Sequence, residues 1–340
     1  MNNKIKSIAK IINLIVTCLF LFLFLRNIDI LELGRELRKI NYVIIILIIA
    51  IILMQNIICS LRWKLLLMQL KKIHFKSVFS SISIGMMTNY LLPAKLGEFT
   101  RVYIIARNEN ISTFSTFSTI VVDRLSDLFI IFIVCVYLLL FFPFNKEIHQ
   151  TVLSPIVIQN IIRLYVYILS GIFFALIILI WNESFLYNII NFIFKPFNNK
   201  LSKKIVEKVE YLIIGFKCVK TKKDLFLILF YTTLNLFSSL VSLKLFCYAF
   251  NFNLSFIQII CLYIFIMFAS MIPSAPGSIG TYHYGCAIAL ECLGVSPVIA
   301  KGYAIVSWGI ASVTIVIIGL IFLNKDGLTI NKIKIINKDI

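Results

Sequence analysis

Long apolar runs recur along this chain, each close to the twenty or so residues that a helix needs to cross a hydrocarbon core. They predict full spans over residues 8–25, 42–61, 128–143, 161–181, 225–250 and 298–323. Two further apolar stretches, 77–92 and 257–272, are too short to cross comfortably, and each stops at proline with glycine close behind. The first is rich in serine, glycine and threonine, which suits close helix contact. Opened backbone at membrane depth is tolerated only against protein or water. Each stretch therefore reads as one limb of a re-entrant hairpin, turning at Pro93 to Gly97 and again within residues 272–285. For the first, a short full span followed by a surface helix is the alternative. The fold class predicted is all-α: a polytopic helical integral membrane protein with about six full spans and two hairpins, or about eight spans.

The first break carries the candidate chemistry. Residues 89–101 read NYLLPAKLGEFTR and place Lys95, Glu98 and Arg101 where an ordinary membrane helix would be finishing. Ionisable groups at that depth are costly and persist where they pair, line a wet cavity or bind something. Residues 121–127, VVDRLSD, add Asp123, Arg124 and Asp127 just before the next span. Glu98 with Arg101, and Arg124 with Asp127, each share a helix face. Either the pairs bridge one another structurally, or they form a headgroup or proton site, in which Arg101 and Arg124 suit phosphate.

Composition leaves this class unchanged: 60% of residues are hydrophobic and 14% charged. The formal net charge of +18 would fit nucleic acid, but the positives sit mainly in loops between apolar runs, so membrane orientation and anionic lipid account for them and no nucleic acid is expected. Residues 62–76 hold Arg62, Lys64, Lys71, Lys72 and Lys76 without an acid, and 182–224 hold nine lysines around an amphipathic middle that reads as an inner-leaflet surface helix. Arg62-Trp63-Lys64 reads as an aromatic and basic anchor. The segment 26–41 is amphipathic through Ile30, Leu33 and Leu37 and reads as an interfacial helix, while Lys244 either snorkels outward or faces the interior. Lys4, Lys6 and Lys10 precede the first run, but Arg26-Asn27-Ile28-Asp29 follows it in place of a small-residue cleavage site, so it reads as an uncleaved span. All eight cysteines except Cys218 fall within apolar segments and read as packing residues.

By the distribution of positives, the N-terminus, 62–76, 182–224 and the tail lie inside, and 26–41, 144–160 and 251–256 outside, which gives a multi-pass protein of the cell inner (plasma) membrane with both termini cytoplasmic. On that assignment the chain is a single transmembrane domain, 1–340, whose pseudo-repeats, about 1–145 and 160–325, are inverted copies in topology. The span starting at 42 reaches its breaker at 93, and the span starting at 225 reaches its own at 276, at equal separation. Inverted repeats whose broken segments meet near the midplane are a transporter design.

With Arg62-Trp63, NYLLPAKLGEFTR, VVDRLSD and PSAPGSIGTYHYG in hand, the chain resembles the flippase-like transmembrane region of lysylphosphatidylglycerol synthase over nearly its whole length. By position, the resemblance assigns substrate-binding roles to Asn89, Glu98 and Arg101, to Asp123, Arg124 and Asp127, and to His283, where many relatives carry glutamate. It assigns hairpin turns to Pro93 and Gly97, and to Pro273, Pro276, Gly277, Gly280 and Thr281. His283 either relays protons or makes a plain hydrogen bond. In the synthases a soluble domain that transfers lysine from tRNA to phosphatidylglycerol follows this region, whereas this chain stops at Ile340, so the expectation is the membrane half alone.

Two function classes follow. One is a transporter that moves an anionic phospholipid, an aminoacylated phospholipid or a lipid-linked glycan, so that the partners expected are membrane lipids with an anionic or polyprenyl-linked headgroup. The other is a membrane enzyme or enzyme subunit in lipid modification, working with a separately encoded synthase or glycosyltransferase. No HExxH, paired-cysteine or DxD motif occurs. No catalytic residue, metal or cofactor is therefore expected.

Overall fold

The computed structural model describes residues 3–26, 29–92, 96–141, 155–181 and 221–329. The predicted elements on 93–95, 142–154 and 182–220 fall outside the described residues. These include Pro93 and Lys95 of the first hairpin turn, part of the outer loop, and nearly all of the lysine-rich surface helix.

The described secondary structure is helical: α1 Asn3–Leu25, α2 Ile30–Arg38, α3 Tyr42–Leu67, α4 Phe75–Leu91, α5 Gly97–Glu109, α6 Thr113–Phe141, α7 Pro155–Trp181, α8 Lys222–Ala249, α9 Phe256–Met271, α10 Thr281–Cys292 and α11 Pro297–Lys325. Local chemistry sets the starts. Asp29 accepts the amides of Leu31 and Glu32 at 2.9 and 3.0 Å, and Asn41 accepts that of Val43 at 3.0 Å. Thr221 with Asp224, and Ser255 with Gln258, form reciprocal capping boxes at the heads of α8 and α9. Asn110, at φ 52°, ends α5 in the left-handed conformation that asparagine tolerates.

Four helices, α3, α6, α8 and α11, are long and apolar enough to cross a membrane, and α1 with α2 counts as a fifth if the pair, bent by 80°, is one span. The remaining expected span, 161–181, is α7, which has a shorter described apolar stretch, Ile162–Phe174, within its 27 residues. The protein is a polytopic helical membrane protein. Both short apolar stretches are helices that turn back: α4 packs along α5, and α9 along α10. Small residues permit the approach. A Cβ on Gly285 would overlap Ala269, and one on Gly97 would overlap the Gly85 carbonyl and the Asn89 side chain.

The hairpins enter from opposite ends of the bundle. At one end Lys71 Nζ reaches the Glu109 carbonyl at 2.7 Å, and Ser80 Oγ reaches Asp326 at 2.6 Å, which ties the 62–76 loop, the first hairpin and the end of α11 together. At the other end the Asn41 amide donates to Ala249 O at 3.1 Å, and Lys301 Nζ to Arg26 O at 2.7 Å. Lys244, at the same end, bonds Asn253 Oδ1 and the Leu254 carbonyl, so it closes the α8 to α9 loop. Among the described residues, the 62–76 loop and the end of α11 thus lie at one end, and the 26–41 and 251–256 segments at the other. α2 does more than float at an interface, since it packs on α11, where a Cβ on Gly302 would touch Leu33.

Between the ends, α3 lies against α8, α4 against α11 and α9 against α6. The largest apolar core runs through α3, α8, α9, α10 and α11, and a second surrounds the first hairpin with Trp63, Leu66, Ile82, Val102 and Ile120. Cys135, Cys247, Cys261, Cys286 and Cys292 are buried as packing residues; Cys59 is half-buried, and Cys18 departs from the expectation by being exposed.

Candidate functional site

Three arginines and three carboxylates from α3, α5 and α6 form one cluster. Asp123, only 1% exposed, is its centre: Arg62 Nε lies 2.7 Å from Oδ1, while Arg101 Nη2 and Arg124 Nη2 lie 3.1 and 2.9 Å from Oδ2. Arg62 also grips Asp127 with both terminal nitrogens and donates to Thr232 Oγ1 of α8 at 3.1 Å. Arg101 is 2.5 Å from Glu98, one helical turn back, and its guanidinium stacks over the Trp63 ring at 4.8 Å. The indole N–H of Trp63 is itself held, at 3.0 Å, by Thr119 Oγ1. Buried charge is tolerated when its partners are complete, and here the formal charges cancel.

The arginines are not equivalent. Arg62 and Arg101 side chains are 2% and 7% exposed, whereas Arg124 is 48% exposed and Glu98 is 29% exposed. Arg124 and Glu98 form part of the wall of a cavity of about 640 Å³. Asn13 of α1, Asn89 and Tyr90 of α4, Trp308 of α11 and the segment 270–278 complete most of that wall. Residues flanking the first break, Leu92 and Glu98, and the second break itself, far apart in sequence, therefore face one space.

The second turn is held from both sides. Thr17 Oγ1 of α1 accepts the Ala275 amide at 2.7 Å, and the indole N–H of Trp308 donates to the Gly277 carbonyl at 2.8 Å. Gly277 and Gly280, at φ 69° and 87°, occupy backbone regions that glycine alone enters without cost, and a Cβ on Gly277 would press on Tyr90 at 3.0 Å. Ser274 and Thr281 hydroxyls share a hydrogen bond of 3.0 Å across the turn. Trp308→Phe keeps an aromatic side chain but removes the donor and leaves unfilled space where the larger indole lay, so it should destabilise the protein by at least about 1 kcal/mol. The check is a lower thermal unfolding midpoint in detergent, with Tyr42→Phe, whose hydroxyl makes only an exposed contact of 3.5 Å, as the unaffected control.

Of the residues singled out in sequence, Glu98, Arg101, Asp123, Arg124 and Asp127 converge as one network. Asn89 has a structural task, since its Oδ1 accepts the Gly97 amide at 2.7 Å and closes the first hairpin. His283 stands apart from the acids, buried among the rings of Phe24, Tyr282 and Trp308, with Nδ1 unpartnered. Pro276 opens the turn, and Thr281 begins α10. Arg62, read as a surface anchor, is corrected to a buried member of the network. The sequence held a signal for it: an arginine near the end of an apolar helix with asparagine at 56 and serine at 60 on its interior side. Tyr90, Trp308 and Thr17 carried no such signal.

Comparison with known proteins identifies a family. The lysylphosphatidylglycerol synthase TM region family matches residues 10–319. A UPF0104 membrane protein of Methanocaldococcus jannaschii is 21% identical over 330 residues, which cover 94% of this chain and 95% of that protein. No solved structure matches. As the family match takes in both hairpins, all three arginines and every helix that walls the cavity, the chain belongs to the lysylphosphatidylglycerol synthase TM region family.

Proposed function

We propose that this protein moves a phospholipid or lipid-linked headgroup between leaflets by way of the cavity between its hairpins. The observation that carries the reading is the shared wall: two broken hairpins from opposite ends of the bundle face one space of about 640 Å³, into which Arg124 and Glu98 project. A guanidinium offers a phosphate two parallel donors, and Glu98 beside it accepts an amine. That pair suits an anionic phospholipid, an aminoacylated one or a polyprenyl-linked headgroup. The mutual packing of α3 with α8, of α4 with α11 and of α9 with α6 supports reading residues 1–145 and 160–325 as inverted repeats, the arrangement in which alternating access proceeds by rocking one repeat against the other. The loop charges favour a cytoplasmic location for both termini at the cell inner membrane.

Reconstitution tests the reading. Purified protein in vesicles that carry fluorescent phosphatidylglycerol, lysyl-phosphatidylglycerol or a polyprenyl phosphate should move at least one probe between leaflets, followed by quenching of the outer label. Arg124→Gln should slow that movement by about ten- to a hundredfold, the loss expected when a charge-assisted hydrogen bond to phosphate goes. Movement of no probe, or an Arg124→Gln rate equal to wild type, would overturn it and favour a role as partner to a separate enzyme.

A further inference from the structure

We infer that Arg62, which no lipid can touch, is the residue that keeps Arg124 available to the cavity. The inference rests on the cavity reading above for its purpose, but its geometry stands alone. Asp123 and Asp127 are both held by Arg62 from one side and by Arg124 from the other, and Arg101 adds a third contact to Asp123. On the inner side Arg62 takes Asp123 Oδ1 through Nε at 2.7 Å and clasps both oxygens of Asp127 through its terminal nitrogens. On the cavity side Arg124 meets only Oδ2 of each, at 2.9 and 3.1 Å.

The division of labour follows from charge and donor count. With Arg62 in place, the two carboxylates already have a guanidinium against their inner oxygens. Arg124 is left with one contact to each and a half-exposed head whose other N–H groups point to no acid closer than Glu98, 3.9 Å away. Without Arg62 the pair would carry a surplus negative charge and vacant inner oxygens, and at Asp123, 1% exposed, no solvent could stand in for the lost guanidinium. An uncompensated buried charge recruits whatever cation can reach it. Arg124 is on the same helix turn, one residue from Asp123 and three from Asp127, and is the cation with slack to move. It would be drawn inward and lost from the wall. Arg62 holds its own position through Thr232 of α8, which accepts from Nη1 at 3.1 Å. A helix of the second half thus fixes the fork that sets the cation of the first. Lysine could not do the same work, because one ammonium cannot span two carboxylates and a hydroxyl as a planar fork does.

Arginine-selective modification by phenylglyoxal, quantified by peptide mass spectrometry on the full chain in detergent, tests this without any transport. In wild type Arg124 should be modified, and Arg62 and Arg101 protected. In R62Q the modification of Arg124 should fall about tenfold, the response to a coupling of ordinary size within one ion-pair network. R62Q/D127N, which removes one charge of each sign, should restore most of it. Should R62Q fail to fold, R62K, which keeps the net charge but leaves part of the inner oxygens without a donor, should show a smaller fall in the same direction. Arg124 reactivity equal to wild type in every recoverable Arg62 variant would overturn the inference, as would a double variant no more reactive than R62Q. If wild type moves no lipid while Arg124 reactivity follows the expected order, the transport reading fails and the positioning role of Arg62 stands.

Discussion

Asp123→Ala should abolish recovery of folded protein. Three guanidinium groups converge on this one carboxylate, from α3, α5 and α6, and it is almost wholly buried. Its removal leaves three arginines facing Asp127 and Glu98, with Arg62 and Arg101 in places water does not reach. Breaking a buried pair by deleting one partner costs about 3–5 kcal/mol, a large part of the stability of an ordinary domain. Asp127→Asn should cost less, because Asp127 is 24% exposed and water can take over part of its task. Size-exclusion profiles of fluorescently tagged variants in mild detergent provide the measurement. A monodisperse Asp123→Ala peak with wild-type thermal stability would mean that the arginines find other partners, and the cluster would then not be the centre of the fold.

The same cluster shows what was legible in the sequence. Helix periods are local, so α3 begins at Tyr42 as expected, and the short stretches at 77–92 and 257–272 are α4 and α9 within two residues. Proline and glycine marked both turns, and the charged residues just beyond the first break were visible because they interrupt apolar runs. Partnership is another matter. Nothing near Arg62 says that its carboxylates lie sixty residues on, and just past an apolar run, beside Trp63 and Lys64, it has the signature of an interface anchor. Tyr90 and Trp308 are ordinary aromatics in apolar helices; only their meeting at Gly277 gives them meaning. Asn89 was picked out by its motif, but its work on the Gly97 amide follows from a hairpin geometry that spacing alone does not reveal. Sequence found the positions where membrane rules are broken, and the fold decides which of them face the cavity.

Gly97→Ala should collapse the first hairpin. Here α5 starts directly against α4, and a β-carbon would overlap the Gly85 carbonyl and the Asn89 side chain that accepts the Gly97 amide. Both obstacles are fixed. The carbonyl belongs to the backbone of a helix whose other side packs on α11, and Asn89 cannot swing away without abandoning the hydrogen bond that closes the turn. Relief requires α4 and α5 to separate, which would uncover the interlocked side chains of Ile82, Val102 and Ile105 and shift Glu98 and Arg101 from their partners. Overpacking that moves backbone costs about 1–3 kcal/mol and in tight sites more, so the unfolding midpoint and the yield of folded protein should both fall. Gly309→Ala is the contrast, because a β-carbon there meets nothing within 4 Å. In the middle of α11 the exchange should be neutral or stabilising by up to about 1 kcal/mol, since alanine favours a helix over glycine. Thermal unfolding of the two variants beside wild type decides the matter: equal midpoints would show that α4 and α5 part easily, and a hairpin that loose could not hold Glu98 at the cavity wall.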